Sequence, residues 1–212
     1  TVVHEDENYY IWDLDVESFY PNLAINYGFK PEHLGIVFGK TYKNIFLERK
    51  LYAKGTPENQ IKKIQLNASY GLSNNEYSFL YDPLMTAQIC INGQLLLTML
   101  AESLILDAEC IMIAANTDGI AIKVPKKNVE LCKQICKQWE EDTKLVLELN
   151  TYSSQYYRDI NNYIWIPSND GKVKVKGCFD DKPDYHKDHS MLIIQKALIA
   201  YYHKKIPVET TI

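Results

Sequence analysis

The alternation of apolar and polar positions divides the chain into short elements punctuated by proline and glycine. Residues 9–16, YYIWDLDV, are predicted as a strand, closed by Pro21. Residues 40–54 are predicted as a helix, with Ile45, Leu47, Leu51 and Tyr52 set among charges. Gly55-Thr56-Pro57 breaks it, placing Thr56 at an N-cap and Pro57 at the first position of a second helix over 57–70. Two helices joined by so short a turn form an antiparallel pair. Asp82-Pro83 opens a long helix expected to reach residue 107. A hairpin follows over 109–124 and Pro125 ends it. Residues 127–143 carry Val129, Leu131, Cys132, Ile135, Cys136 and Trp139 at helical spacing. LVLEL at 145–149 reads as a strand. Residues 162–167 and 172–179 read as a second hairpin around Asn169-Asp170-Gly171, and 190–203 as a last helix.

From residue 82 the order is helix, strand, strand, helix, strand. With the strand at 9–16 this makes β-α-β-β-α-β, an α+β chain of the ferredoxin-like (RRM-like) kind. The antiparallel helix pair at 40–70 is then an insertion.

Composition narrows the classes. The chain has 212 residues, 46% of them hydrophobic, enough for a substantial core in one large domain or two small ones. It begins at Thr1 without an initiator Met or a signal-like segment, which reads as a piece of a longer protein. No uninterrupted apolar run approaches the ~20 residues that span a bilayer. Residues 84–108 come closest, but Gln88, Asn92, Gln94 and Glu102 interrupt them, so no membrane partner is expected. A net charge of −4 argues against a general nucleic-acid coat, although Lys172, Lys174, Lys176, Lys182 and Lys187 are bunched. Five cysteines form no paired framework, as expected of a reduced, cytoplasmic chain. Cys132 and Cys136, four apart on a helix, read as small core residues. His186 and His189, in HKDH, read as a solvated loop, having no further ligands nearby.

The chemistry gathers at ANTDGIAIKV, residues 115–124. Asn-Thr-Asp-Gly is ordinary turn material, so Asp118 is either a turn residue or a carboxylate held out for a metal. A metal needs a second acid, and Asp15 ends the first strand. In a β-α-β-β-α-β sheet that strand lies beside the central hairpin, so Asp15 and Asp118 can meet at one sheet edge. Two carboxylates so close repel unless divalent cations lie between them. Asp13 is expected on the opposite face of the strand, and neither it nor Glu17 is read as catalytic. On the inserted pair, Lys63, Asn67 and Tyr70 share a helix face, and Arg49 and Lys50 sit near the end of the partner helix. A cationic face beside a metal site suits a triphosphate, and Tyr20 and Tyr70 offer flat surfaces to a base or sugar. Both tyrosines are equally readable as core aromatics, since the chain has sixteen.

Three stretches resemble one family. DVESFYP at 15–21 looks like motif A of the family B DNA polymerases, D-x-x-S-L-Y-P. KIQLNASYG at 63–71 looks like their motif B, K-x-x-x-N-S-x-Y-G, and NTDG at 116–119 like their motif C, D-T-D-S. Order and rough spacing are also the family's, over about residues 9–180, and LYDPLMTAQICINGQ has the style of phage members. The resemblance implies a ferredoxin-like palm with a helix-pair fingers insertion. Residues 1–38 and 79–212 would be palm, the latter with the start of a thumb-like helix, and 39–78 fingers. It implies template-directed DNA synthesis, with two Mg2+ ions (Mn2+ as the alternative) on Asp15, Asp118 and the carbonyl of Val16. Ser18 and Phe19 would line the triphosphate and Tyr20 would stand under the sugar as a steric gate. Arg49, Lys63 and Asn67 would hold the nucleotide, and Tyr70 and Gly71 would back the nascent pair. Thr117, Tyr163, Lys174 and Lys176 would face DNA. Primer-template DNA, deoxynucleoside triphosphates and replisome proteins would be the partners, in a host cytoplasm for a phage-encoded chain.

The sequence departs from the pattern in places. Asn116 replaces the first acid of motif C and Gly119 its serine. Phe19 and Ala68 differ mildly, and Asn161-Asn162-Tyr163 keeps the tyrosine of a primer-holding K-x-Y element without its lysine. Two other readings stand beside the polymerase: a catalytically inactive DNA-binding or replisome-assembly module, and a nucleotidyl cyclase on the same sheet, which would leave the KxxxNxxYG helix unexplained.

Overall fold

The computed structural model describes residues 1–169, 171–182 and 189–212. In chain order the elements are β1 (Val2–His4), β2 (Tyr9–Val16), α1 (Phe19–Tyr27), α2 (Gly35–Arg49), α3 (Pro57–Ser73) and α4 (Pro83–Leu106). There follow β3 (Ile111–Ala115), β4 (Gly119–Pro125), α5 (Val129–Thr143), β5 (Leu147–Asp159), β6 (Asn162–Pro167), β7 (Lys174–Lys176), α6 (Leu192–Lys204) and α7 (Val208–Thr211). The chain is α+β. Among the described residues the strands form one seven-stranded sheet in the order β3-β4-β2-β5-β6-β7, with β1 on β5, and every pair of known register is antiparallel.

Two compact units result. The first comprises residues 1–15, 103–134 and 148–212, and holds the sheet. Ile11 through Leu14 of β2 are all buried, as suits a strand in mid-sheet with both faces covered. Ile11, Tyr152, Tyr163 and Trp165 form a packed cluster, joined by Val3, Ile113 and Tyr157. Tyr163 and Trp165 stack at 4.3 Å, and Tyr152 meets Trp165 edge-on. Cys132 faces Cys110 with the sulfurs 3.4 Å apart, both as free thiols.

The second unit comprises residues 16–102 and 135–147. Its helix starts follow their local chemistry. Thr56 accepts a hydrogen bond from the Asn59 N–H, ahead of Pro57 at the first turn of α3. Asp82 accepts from the Met85 N–H at the start of α4, and from the Glu32 N–H; these bonds lower its pKa. α4 passes close to α1 at Gly93, where a Cβ would lie 3.2 Å from Leu23 and Phe19. α4 is long and apolar enough to cross a membrane by length and composition; its Gly93 side packs on α1, while Leu84, Ile91, Leu95 and Met99 are exposed.

Several elements differ from expectation. α1 occupies residues around Pro21, where a strand was expected to end. Proline is tolerated there because the first helical N–H groups have no intrahelical acceptor. α2 begins at Gly35 and ends at Arg49 rather than spanning 40–54. β5 continues to Asp159, ten residues beyond the expected strand end at 149. Asp170 of the expected second turn, and His186 and Lys187 of the HKDH segment, lie outside the described residues.

Candidate active site

Asp15 lies opposite Gly119 in the β2–β4 register. The four residues 116–119 close the hairpin, with the Asn116 N–H donating to the Gly119 carbonyl at 2.8 Å. Asp118 is exposed at its tip, and the Thr117 hydroxyl reaches it at 3.5 Å. A Cβ at position 119 would lie 2.5 Å from the Leu14 carbonyl oxygen and 3.0 Å from Asp15 Oδ1. A side chain at position 119 would have no space between these strands.

The charges around Asp15 act on one another. Its pKa is raised to about 6, first by burial, then by the negative charges of Asp118 and Asp13, with Glu148 adding and Lys174 opposing. Here the expectation for Asp13 is corrected. Positions i and i+2 of a strand share a face, so Asp13 faces the same side as Asp15. Asp13 is 3% exposed, and Lys174 donates to it at 3.0 Å. Burial raises the Asp13 pKa against the pull of Lys174. For Lys174, burial opposes the charged form, but Asp13 outweighs it and the pKa is raised. The Lys174 ammonium also lies 4.6 Å from the Trp165 ring centroid. Glu148, on β5, is the other contributor the sequence reading missed. Its position, fourth in an apparent LVLEL strand, carried no signal. Tyr163 is 4% exposed within the core cluster, and Lys176 lies 5.8 Å from its ring.

The second unit carries the other predicted residues. Ser18 stands just before α1 with φ +48°, a left-handed conformation that costs a non-glycine residue about 1–2 kcal/mol. Arg49, at the end of α2, donates to Ser18 Oγ at 3.0 Å and to Asn59 Oδ1 at 3.4 Å. Asn59 in turn donates to the Arg49 and Tyr52 carbonyls, which fixes the arginine's backbone. Ser18, Arg49, Lys50, Lys54 and Asn59 line a cavity of about 300 Å3. Three cations, Arg49, Lys50 and Lys54, thus face one acid, Glu17, around this pocket; of the three, the sequence reading had not named Lys54. Val16 and Phe19 are buried. The Tyr20 and Tyr70 rings lie 4.5 Å apart, and the Tyr70 hydroxyl meets the Cys90 sulfur at 2.9 Å. Burial, then Cys90, raises the Tyr70 pKa. Lys63, Asn67 and Gly71 are exposed along α3.

No protein-family model matches the chain, and no curated protein matches it. A solved structure does: the family B DNA polymerase from the hyperthermophilic archaeon Pyrobaculum calidifontis, with a TM-score of 0.56 at 16% identity. The match covers 82% of this chain and 28% of that one. The chain thus shares its α+β fold with part of that polymerase structure, of whose length it spans little more than a quarter.

Proposed function

We propose that this chain is the nucleotidyl-transfer centre of a template-directed DNA polymerase, a ferredoxin-like palm with a helix-pair fingers insertion. The strand order β3-β4-β2-β5 is the order of a split β-α-β-β-α-β unit, and the fold likeness to a family B polymerase supports the same reading. The observation that carries it is the register that sets Asp15 opposite Gly119, at the end of the hairpin whose tip presents Asp118; burial first, and then the negative charge of Asp118, lift Asp15 to about 6. A carboxylate held in that state gains more than an ordinary one from a divalent cation.

The donor set fits Mg2+. Among the described residues no three or more His, Cys, Asp or Glu form a metal-holding group. Mg2+ asks for less: one or two carboxylates, with water and substrate phosphate oxygens completing its octahedron. Asp15, Asp118 and the Val16 carbonyl would hold two such ions, and Mn2+ would substitute. Such ions would supply Lewis-acid chemistry, lowering the pKa of a primer 3′-hydroxyl and neutralising charge at the α-phosphate.

The chain's own residues do the rest. Arg49 presents a guanidinium whose direction is set by Ser18 and Asn59, and Lys50 and Lys54 add charge along the same pocket. That pocket would take the triphosphate of a deoxynucleotide. Tyr20, held against Tyr70, would exclude a ribose 2′-hydroxyl by size alone. Lys63 and Asn67 would reach the incoming nucleotide, and Lys176 and Thr117 the primer-template. Replisome proteins and a cytoplasmic setting belong to the same proposal. The test is primer extension with and without Mg2+, by the wild type and by Asp118→Asn. Undiminished extension by the variant would overturn the assignment.

A further inference from the structure

We infer that Lys174 is a positioning residue that sets the charge of the acidic site: by holding Asp13, it withdraws one of three neighbouring carboxylates and leaves Asp15 and Asp118 to a cation. This rests on the reading of Asp15 and Asp118 as cation-holding acids.

Asp13 and Asp15 share one face of β2, about 6.8 Å apart along the strand. At that distance a divalent ion drawn to Asp15 is also drawn to Asp13. Asp13 is 3% exposed, so water does not screen it, and alone it would be a costly buried charge. Lys174 meets that charge at 3.0 Å.

The lysine's direction is fixed. It stands on β7, paired in register with Trp165 on β6. Trp165 is 1% exposed and wedged between Tyr163 and Tyr152, and its ring lies 4.6 Å from the ammonium. Cation–π attraction therefore holds the ammonium over the ring, where it also meets Asp13. β7 is three places from β2 in the sheet, so the pair also ties the two strands together. Counted fully ionised, the four groups Asp13, Asp15, Asp118 and Lys174 carry a net −2 with the lysine and −3 without it, and Glu148 adds the same further charge in both cases. Two carboxylates remain for the ions, and the third stays out of their coordination.

The pair predicts shifts of opposite sign, which a purely structural ion pair does not. Mn2+ binding to the metal-free chain, read from the electron paramagnetic resonance of free Mn2+, reports the charge without turnover. Lys174→Met should tighten Mn2+ binding about fivefold, and Asp13→Asn should weaken it about fivefold, as one unit charge at this range does for a divalent ion in a high dielectric. Asp13→Asn/Lys174→Met should return to within about twofold of wild type. Circular dichroism and thermal unfolding check that each variant is folded. Should Lys174→Met not fold, weakening in Asp13→Asn with recovery in the double variant still supports the proposal. Shifts in the same direction, or none in either folded variant, overturn it and leave a structural ion pair. Asp15→Asn separates the two levels: saturable Mn2+ binding that survives it overturns the underlying site reading, whatever Lys174 does.

Discussion

Gly119 faces Asp15 so closely that a Cβ on the glycine would stand 3.0 Å from the aspartate's Oδ1 and 2.5 Å from the Leu14 carbonyl oxygen. The contact ties the turn that presents Asp118 to the strand that presents Asp15. Gly119→Ser should therefore be harmful. The strands must part at their site end, at an overpacking cost of about 1–3 kcal/mol. Thermal unfolding should show a lowered Tm, and Mn2+ affinity should fall with it. A variant with unchanged Tm and Mn2+ affinity would show that the strands separate freely.

Asp15→Asn and Asp118→Asn each remove a charge that would hold the metals. Single-turnover extension should slow by several orders of magnitude in each, with circular dichroism unchanged. Asn116→Ala should be far milder, because the Asn116 bond that closes the hairpin comes from its backbone N–H. Equal losses at 116 and 118 would make the Asn116 side chain a ligand.

The raised pKa of Asp15 makes a stability prediction for metal-free protein. Between its ordinary value of 3.8 and about 6 the native state holds a proton that the unfolded state has released. Stability from Asp15 is thus complete below pH 4 and is lost as pH rises through 6. Asp15→Asn should unfold at a higher Tm than wild type at pH 7 in chelator, the gap narrowing towards pH 4. A lower Tm than wild type at pH 7 would mean that the carboxylate is favourably paired in the native state.

Arg49 is anchored at both its backbone and its side chain. Arg49→Ala should raise the KM for deoxynucleotides by about tenfold or more, with a smaller fall in kcat, since the proposed charge-assisted phosphate contact would be lost. An unchanged KM would remove the pocket from the triphosphate site.

Tyr20 sits against Tyr70, and a steric gate needs only bulk. Tyr20→Val should raise ribonucleotide incorporation relative to deoxyribonucleotide in competition assays. Unaltered sugar selectivity would leave the Tyr20–Tyr70 pair as packing.

Local signals alone determined much of this chain. β2 was legible over 9–16 because its apolar run lies between polar ends, and the α3 start because Thr56 and Pro57 each meet a purely local need. The 116–119 turn was legible because asparagine and glycine suit tight turns wherever they occur. α1 was hidden because Pro21 ends a strand and opens a helix equally well, and only packing against Gly93 selects the helix. β5 was cut short because TYSSQYYRD has no apolar alternation; Tyr152 and Gln155 are buried by what neighbouring strands bring over them. The charge balance of the site was out of reach of any local rule. Asp13 reads as one more acid on a strand until Lys174, 161 residues away, is folded against it. Electrostatics acts through space, so which carboxylate Lys174 pairs with was decided only when the sheet brought distant strands together.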